Sequence, residues 1–183
     1  MALETKPIEL NTASPSFALP GVDGGLHKLE DYASKEVLVI GFTCNHCPYV
    51  QAYEERLIQL VDSFKGRSIA FICINPNDDR SHPEDSFEKM QERAKEKKFN
   101  FDYLRDDTQE IARAFNAACT PEFYVYDKER KLRYHGKLDD SPREPSTVKV
   151  PYLKNAIEDL LAGKSPRLEQ TSAIGCSIKW KTN

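Results

Sequence analysis

The sequence has no excess of positive charge and no apolar stretch long enough to cross a membrane. Its 26 lysine and arginine residues are outnumbered by 29 aspartate and glutamate residues, which gives a formal net charge of −3 at pH 7. A surface for nucleic acid or for anionic lipid is therefore not expected. Residues 1–15 carry Glu4, Lys6 and Glu9 among scattered apolar residues, which does not fit a signal peptide. We expect a cytoplasmic protein with neither nucleic acid nor membrane partners.

Three further kinds of site lack their sequence pattern. The five cysteines form an odd set, which fits a secreted disulfide framework poorly: Cys44, Cys47, Cys73, Cys119 and Cys176. Gly163-Lys164-Ser165 has no upstream glycine of the kind that a phosphate-binding loop needs. No second Cys-x-x-Cys and no His-x-x-x-His pair supplies the remaining ligands of a zinc site. We predict no cofactor and no bound metal.

The hydrophobic pattern predicts a single α/β domain over residues 1–183. Val37–Phe42 and Ile69–Ile74 are unbroken apolar runs, as in strands that are buried on both faces. Between them, apolar residues from Cys47 to Phe64 recur at helical spacing, and Gly66 ends the pattern. A strand, a helix and a strand in this order predict a right-handed parallel crossover.

The other predicted elements surround this crossover. They are an extension over 1–35 with a hairpin near 14–25, a helix over 84–98, a strand over 101–104, a helix over 108–115 capped by Thr108, a hairpin from 121–126 to 131–135, a helix over 152–161, and a tail over 164–183 without a clear period. Together they predict a mixed central sheet flanked by helices.

Cys44-Asn45-His46-Cys47-Pro48 places two thiols where the first buried strand meets its helix. Free N–H groups at a helix start stabilise a thiolate, and two intervening residues allow a disulfide to close. We expect Cys44 to be the exposed nucleophile and Cys47 the resolving thiol, with His46 adding positive charge or a hydrogen bond. Pro48 suits the first helical turn, because it needs no N–H there.

With Thr120-Pro121 opening a hairpin, the order of elements resembles the thioredoxin-like superfamily. The extension and the inserted helix and strand resemble its branch of alkyl hydroperoxide reductase-type peroxiredoxins and TlpA/ResA-type oxidoreductases. Thr43–Val50, Cys119–Pro121 and Ile174–Lys181 look most like peroxiredoxin-like bacterial redoxins of unassigned function. The resemblance implies a cis peptide bond at Pro121 and a backbone edge at Thr120 that pairs with the substrate chain.

Three positions depart from the patterns of those families. Peroxiredoxins have a threonine where this chain has Cys44 and a proline where it has Ile40. Thioredoxins have a buried aspartate where this chain has Leu38. Either Glu122, beside the proline, or water would then accept the proton of Cys47.

The remaining cysteines and polar residues are assigned as follows. Cys119 is either a third active-site thiol or a packed core residue, Cys176 is an extra resolving thiol or an anchor of the tail, and Cys73 is structural. Surface or hairpin positions are expected for His27, His82 and His135, and a solvated turn for Asp78, Asp79 and Asp85.

Three functions remain open from the sequence. The first is thiol-disulfide exchange through Cys44 and Cys47, with protein thiols or disulfides and a thiol reductant as partners. The second is a peroxiredoxin-like thiol peroxidase with antioxidant activity, acting on small hydroperoxides. The third is a non-catalytic thioredoxin-fold module that binds a metal or a partner. The sequence indicates no oligomeric state.

Overall fold

The structure, a computed structural model that describes residues 2–182, alternates short strands with helices. The strands are β1 (Ala2–Glu4), β2 (Ala18–Pro20), β3 (Leu26–Lys28), β4 (Val37–Phe42), β5 (Ile69–Asn75), β6 (Asp102–Arg105), β7 (Cys119–Thr120), β8 (Glu122–Tyr126), β9 (Leu132–Gly136) and β10 (Ile174–Ser177). The α-helices are α1 (Pro48–Ser63), α2 (Phe87–Lys97), α3 (Glu110–Ala114) and α4 (Tyr152–Leu161). In this part of the chain, no helix has the length and hydrophobicity that a bilayer crossing requires.

A five-stranded mixed sheet in the order β6-β5-β4-β8-β9 forms the centre of the fold. β4, β5 and β6 run parallel, whereas β8 and β9 are antiparallel to their neighbours. The predicted parallel crossover and the hairpin over 121–135 are both confirmed. All six residues of β4 are buried, as the unbroken apolar run predicts for a strand that is covered on both faces.

Alternate residues of β4 reach the two apolar layers on either side of the sheet. Val37 and Val39 pack with residues of α1 and α4, among them Leu57 and Leu153. Leu38, Ile40 and Phe42 lie in the opposite layer, which also contains Phe17, Phe115 and Ile178. Because side chains alternate along a strand, one run supplies both layers.

Two predicted helices begin later than their sequence patterns suggest. The helix predicted over 84–98 is interrupted, because Pro83–Asp85 forms a separate 3-10 turn and Ser86 caps α2 instead. α3 begins after Gln109, one residue later than predicted, although Thr108 Oγ1 accepts the Glu110 N–H at 3.4 Å. The buried carboxylate of Asp106 accepts the Ala112 N–H at 2.8 Å and satisfies a second N–H at the start of α3.

The two ends of the chain meet in a second, three-stranded sheet with the order β1-β10-β7. The predicted N-terminal hairpin is confirmed as the pairing of β2 with β3. The tail, in contrast, contains the strand β10, which the sequence pattern did not predict. β10 has only four residues, which are too few to show a period. Its partners, β1 and β7, are both far from it in the sequence.

Candidate active site

The Cys-x-x-Cys segment lies between the end of β4 and the start of α1, as predicted. Cys47 is the residue immediately before α1, with extended backbone angles, and Pro48 is the first residue of the helix. Proline at this position loses no hydrogen bond and has a φ that suits the helix. The end of a central parallel strand therefore presents both thiols at one edge of the sheet.

Both thiols contact Thr120, which precedes a cis peptide bond to Pro121 as predicted. Cys44 Sγ lies 3.2 Å from Thr120 Oγ1. When it is protonated, Cys47 donates to the carbonyl oxygen of the same residue at 3.3 Å. A single residue of β7 thus holds the two sulfur atoms in place.

The expected exposure of Cys44 is wrong, because its residue is 1% exposed and Cys47 is 0% exposed. Burial raises the pKa of the Cys44 thiol well above its ordinary value, and the Asp85 carboxylate acts in the same direction. Hydrogen bonding lowers the pKa of the Cys47 thiol, with the largest contribution from Cys44 and a smaller one from Cys176. The directions of these two shifts, in a pair of thiols that influence each other, are opposite to the expected order and favour ionisation of Cys47.

His46 is fixed beside the pair by Asp85. Its Nδ1 lies 2.5 Å from Asp85 Oδ2, and this hydrogen bond raises the pKa of His46. His82, expected at the surface, lies with its ring centroid 4.5 Å from that of His46. The predicted positive charge at His46 is thus supported, although a carboxylate accompanies it.

Asp85 is the main residue that the sequence interpretation missed, since it is fully buried rather than part of a solvated turn. Its carboxylate accepts the Asn45 N–H at 2.6 Å and the Asn77 side-chain amide at 2.8 Å. Burial would raise its pKa, but the hydrogen bonds from His46, Asn77 and Asn45 outweigh that effect and lower it. A usable signal existed, because Asn75 ends β5 and Asn77 follows it, at the same sheet edge as the cysteines.

The predicted free edge of Thr120 is occupied by the chain's own tail. Cys176 of β10 pairs with Thr120, and Ser177 pairs with Cys119. A Cβ atom added at Gly175 would lie only 2.1 Å from the Thr120 carbonyl oxygen, so only glycine permits this approach. An extended substrate therefore cannot pair with Thr120 while β10 is in place.

The Glu122 carboxylate makes its hydrogen bonds to groups around β8, and its role as the proton acceptor of Cys47 stays a prediction. Its Oε2 accepts the N–H groups of Ala118 and Cys119 at 2.8 and 3.1 Å. Its Oε1 accepts Tyr124 Oη at 2.6 Å and His135 Nε2 at 2.7 Å. His135, expected at the surface or in the hairpin, lies in the hairpin strand β9 and is 1% exposed. These contacts make Glu122 the centre of a structural network under β8.

The other cysteines separate clearly by environment. Cys119 is fully buried, burial raises its pKa, and its sulfur lies 4.0 Å from the Pro121 carbonyl oxygen. Cys73 is buried in β5, and its pKa is likewise raised by burial. Both environments favour packing roles. Cys176, in contrast, packs against the cluster that contains Cys44, Cys47 and Val50.

One group of potential metal ligands lies at the site. Donor atoms of Cys44, His46 and Asp85 all lie within 4.8 Å of one another. Both oxygens of Asp85 already accept hydrogen bonds, however, and coordination would break some of them. The donor set would fit zinc only after this rearrangement.

Comparison with known proteins agrees with this fold and site. The model of the AhpC/TSA family matches residues 10–135. The chain is 24% identical over 132 residues to the thiol-disulfide oxidoreductase ResA of Geobacillus kaustophilus (strain HTA426), which covers 71% of this chain and 70% of that protein.

Two crystal structures extend the comparison. An uncharacterized conserved protein from Geobacillus kaustophilus is 41% identical, with a TM-score of 0.94, and the match covers 100% of this chain and 98% of that chain. The thioredoxin domain of a thiol-disulfide oxidoreductase from Bacteroides vulgatus is 15% identical, with a TM-score of 0.59 and coverages of 69% and 86%. The second match establishes the fold, which is thioredoxin-like.

Proposed function

The chain belongs to the AhpC/TSA family, and from this premise we propose that it is a thiol-disulfide oxidoreductase acting through Cys44 and Cys47. The observation that carries the proposal is the contact of both sulfur atoms with Thr120, beside the cis bond to Pro121. Relatives named as thiol-disulfide oxidoreductases support the same kind of chemistry. The partners we propose are protein thiols or disulfides and a thiol reductant, and a cytoplasmic location stays a prediction.

The proposed reaction passes two electrons from the thiol pair to a disulfide. The Cys47 thiolate attacks one sulfur of the substrate, forms a mixed disulfide and releases the other substrate sulfur as a thiolate. The Cys44 thiol then gives up its proton and attacks Cys47 Sγ, which forms the Cys44–Cys47 disulfide and releases the second substrate thiol. The hydrogen bond to Asp85 raises the pKa of His46, and a protonated His46 favours thiolate at Cys47.

The test is a redox titration of the full chain. Reduced protein is equilibrated in buffers of reduced and oxidised glutathione, blocked by alkylation and mapped by mass spectrometry. We expect one two-electron transition that produces a Cys44–Cys47 disulfide, and the same transition in the matched control Cys73→Ser. If no ratio of glutathione forms the Cys44–Cys47 bond, the proposed function is wrong.

A second candidate, a thiol peroxidase, is favoured by the position of Cys47 at the start of α1 with a lowered pKa. In that reaction the Cys47 thiolate attacks the O–O bond, becomes a sulfenic acid and releases the alcohol or water. A neighbouring thiol then forms a disulfide with Cys47 and releases water. Consumption of hydrogen peroxide at the rate of a free thiol would exclude this candidate.

A further inference from the structure

The tail brings a third thiol to the redox pair. Cys176 is partly exposed, whereas the other four cysteines are buried. It nevertheless packs against the cluster of Cys44 and Cys47, and its backbone pairs with Thr120, the residue that both sulfur atoms contact. Three cysteines from two distant segments therefore lie together at Thr120, two through their sulfur atoms and one through its backbone.

The position of Cys176 is fixed from both sides. On one side β10 pairs with β7, with Gly175 packed against the Thr120 peptide group. On the other side Cys176 is in register with Ala2 of β1. A residue held between two strands has a defined backbone position. The packing of Cys176 against the pair therefore follows from the strand pairing of β10 and is not the contact of a loose tail.

We propose that Cys176 is a third redox thiol, which exchanges with Cys44 for a disulfide to Cys47. This inference rests on the proposed function. The Cys176 thiolate attacks Cys47 Sγ in the Cys44–Cys47 disulfide. The Cys47–Cys176 bond forms, the Cys44–Cys47 bond breaks, and Cys44 leaves as a thiolate that takes up the proton lost by Cys176. No electrons enter or leave, because the exchange stays within one chain.

The electrostatics of the cluster favour this step after the pair is oxidised. In the reduced protein the pKa of Cys176 is raised to about 11, first by burial and then by its hydrogen bond to Cys47 and the charge on Cys47. The two effects of Cys47 disappear once that sulfur is in a disulfide, whereas the nearby Lys179 still acts to lower the pKa. Cys176 therefore becomes a better nucleophile when its target disulfide exists.

The exchange would replace a disulfide between two buried residues with one that includes the partly exposed Cys176. Cys44 and Cys47 are 1% and 0% exposed, so an external thiol, like a substrate, reaches a disulfide between them only when the cover of the site opens. A disulfide to Cys176 includes one residue that is partly exposed to solvent. The third thiol would thus link the buried pair to a reductant.

The test uses Cys44→Ser in the full chain, oxidised with glutathione disulfide and mapped as above. We expect an intramolecular Cys47–Cys176 disulfide and little lasting glutathione adduct. The double variant with Cys44→Ser and Cys176→Ser is the matched control, in which the glutathione adduct on Cys47 should persist. Cys44→Ala serves as a second variant, because it leaves no hydroxyl unpaired in the buried site.

Two outcomes separate this proposal from the function on which it rests. A Cys44 variant that stays glutathionylated at Cys47 with Cys176 reduced would overturn the third-thiol role, while the Cys44–Cys47 disulfide of the wild type remained intact. Absence of the Cys44–Cys47 disulfide in Cys176→Ser, in which the exchange cannot occur, would instead overturn the proposed function. In Cys73→Ser, the Cys44–Cys47 disulfide should form as in the wild type.

Discussion

Replacement of Gly175 by alanine tests directly whether β10 covers the active-site edge. The added Cβ would lie 2.1 Å from the Thr120 carbonyl oxygen and 2.6 Å from its carbonyl carbon. Both atoms belong to the backbone, so no side-chain rotation relieves the overlap. Because a carbon–oxygen contact needs roughly 3.3 Å, β10 must withdraw from Thr120 by about 1 Å.

This withdrawal is large compared with what a hydrogen bond tolerates. A donor–acceptor distance near 2.9 Å would become about 4 Å, beyond hydrogen-bonding range. The register pairs of Cys176 with Thr120 and of Ser177 with Cys119 would therefore be lost. Overpacking costs about 1–3 kcal/mol, and the lower entropy of the unfolded alanine chain returns roughly 0.4–1 kcal/mol. We expect a net loss of about 1–2 kcal/mol in the free energy of unfolding.

Urea unfolding gives the stability, and amide hydrogen exchange at Cys176 and Ser177 reports the position of β10. Exchange there should accelerate, and alkylation of Cys47 should become faster because the site opens. Gly25→Ala is the matched control, since its Cβ would meet nothing closer than 3.4 Å. Unchanged stability, exchange and alkylation in Gly175→Ala would refute the close packing of β10 on Thr120.

Three further predictions follow from the buried polar groups. Asp85→Asn should lower the pKa of His46 toward about 6.5 in an NMR titration, whereas Glu88→Gln, an exposed control in α2, should not. Because the folded-state pKa of His46 is raised, the stability that Asp85 gives it is fully present below about pH 6.5 and decreases as the pH rises through the folded pKa. Glu122→Gln should lower the free energy of unfolding in urea by about 1–3 kcal/mol but leave the reduction potential of the Cys44–Cys47 pair unchanged. A shifted potential would instead support Glu122 as the proton acceptor of Cys47. Cys73→Ser should lose roughly 1–3 kcal/mol through its buried hydroxyl and leave the alkylation rate of Cys47 unaltered.

The central sheet was predictable because the apolar residues of its strands indicate by themselves that the strands are buried. Val37–Phe42 is apolar at every position except glycine, and the structure buries all of it. The last helix was predicted at the residues where it occurs, Tyr152–Leu161, because four leucine and isoleucine side chains repeat on one face. In both cases local periodicity and burial agree.

The tail strand was not predictable by the same reasoning. β10 is a strand because Thr120 and Ala2 lie on either side of it, and neither neighbour is near it in sequence. Within β10 itself, Gly175 allows the close approach to Thr120, but a glycine in a sequence does not by itself predict such an approach. Pairing that depends on two distant partners leaves no local period to detect.

The position of the cysteine pair was predictable, but the directions of its pKa shifts were not. Cys-x-x-Cys before a proline marks the helix start, and the structure confirms it. The directions in which the two pKa values shift depend first on the burial of Cys44 and on the hydrogen bond between the two thiols, and then on groups that fold in from elsewhere, namely Asp85 for Cys44 and Cys176 for Cys47. Helix position alone does not contain these contributions, and it led to the opposite expectation for the pair.

The coverage of Thr120 constrains how any protein partner can reach the pair. An extended substrate chain and β10 would compete for the same backbone groups of Thr120. A protein disulfide must therefore displace β10 before it pairs there, whereas a small disulfide needs only space at the sulfur atoms. A Cys47–Cys176 disulfide would tie β10 to the site and prevent displacement, while the Cys44–Cys47 disulfide would leave β10 held by hydrogen bonds alone. The proposed exchange between the two disulfides would thus also decide whether the edge can open.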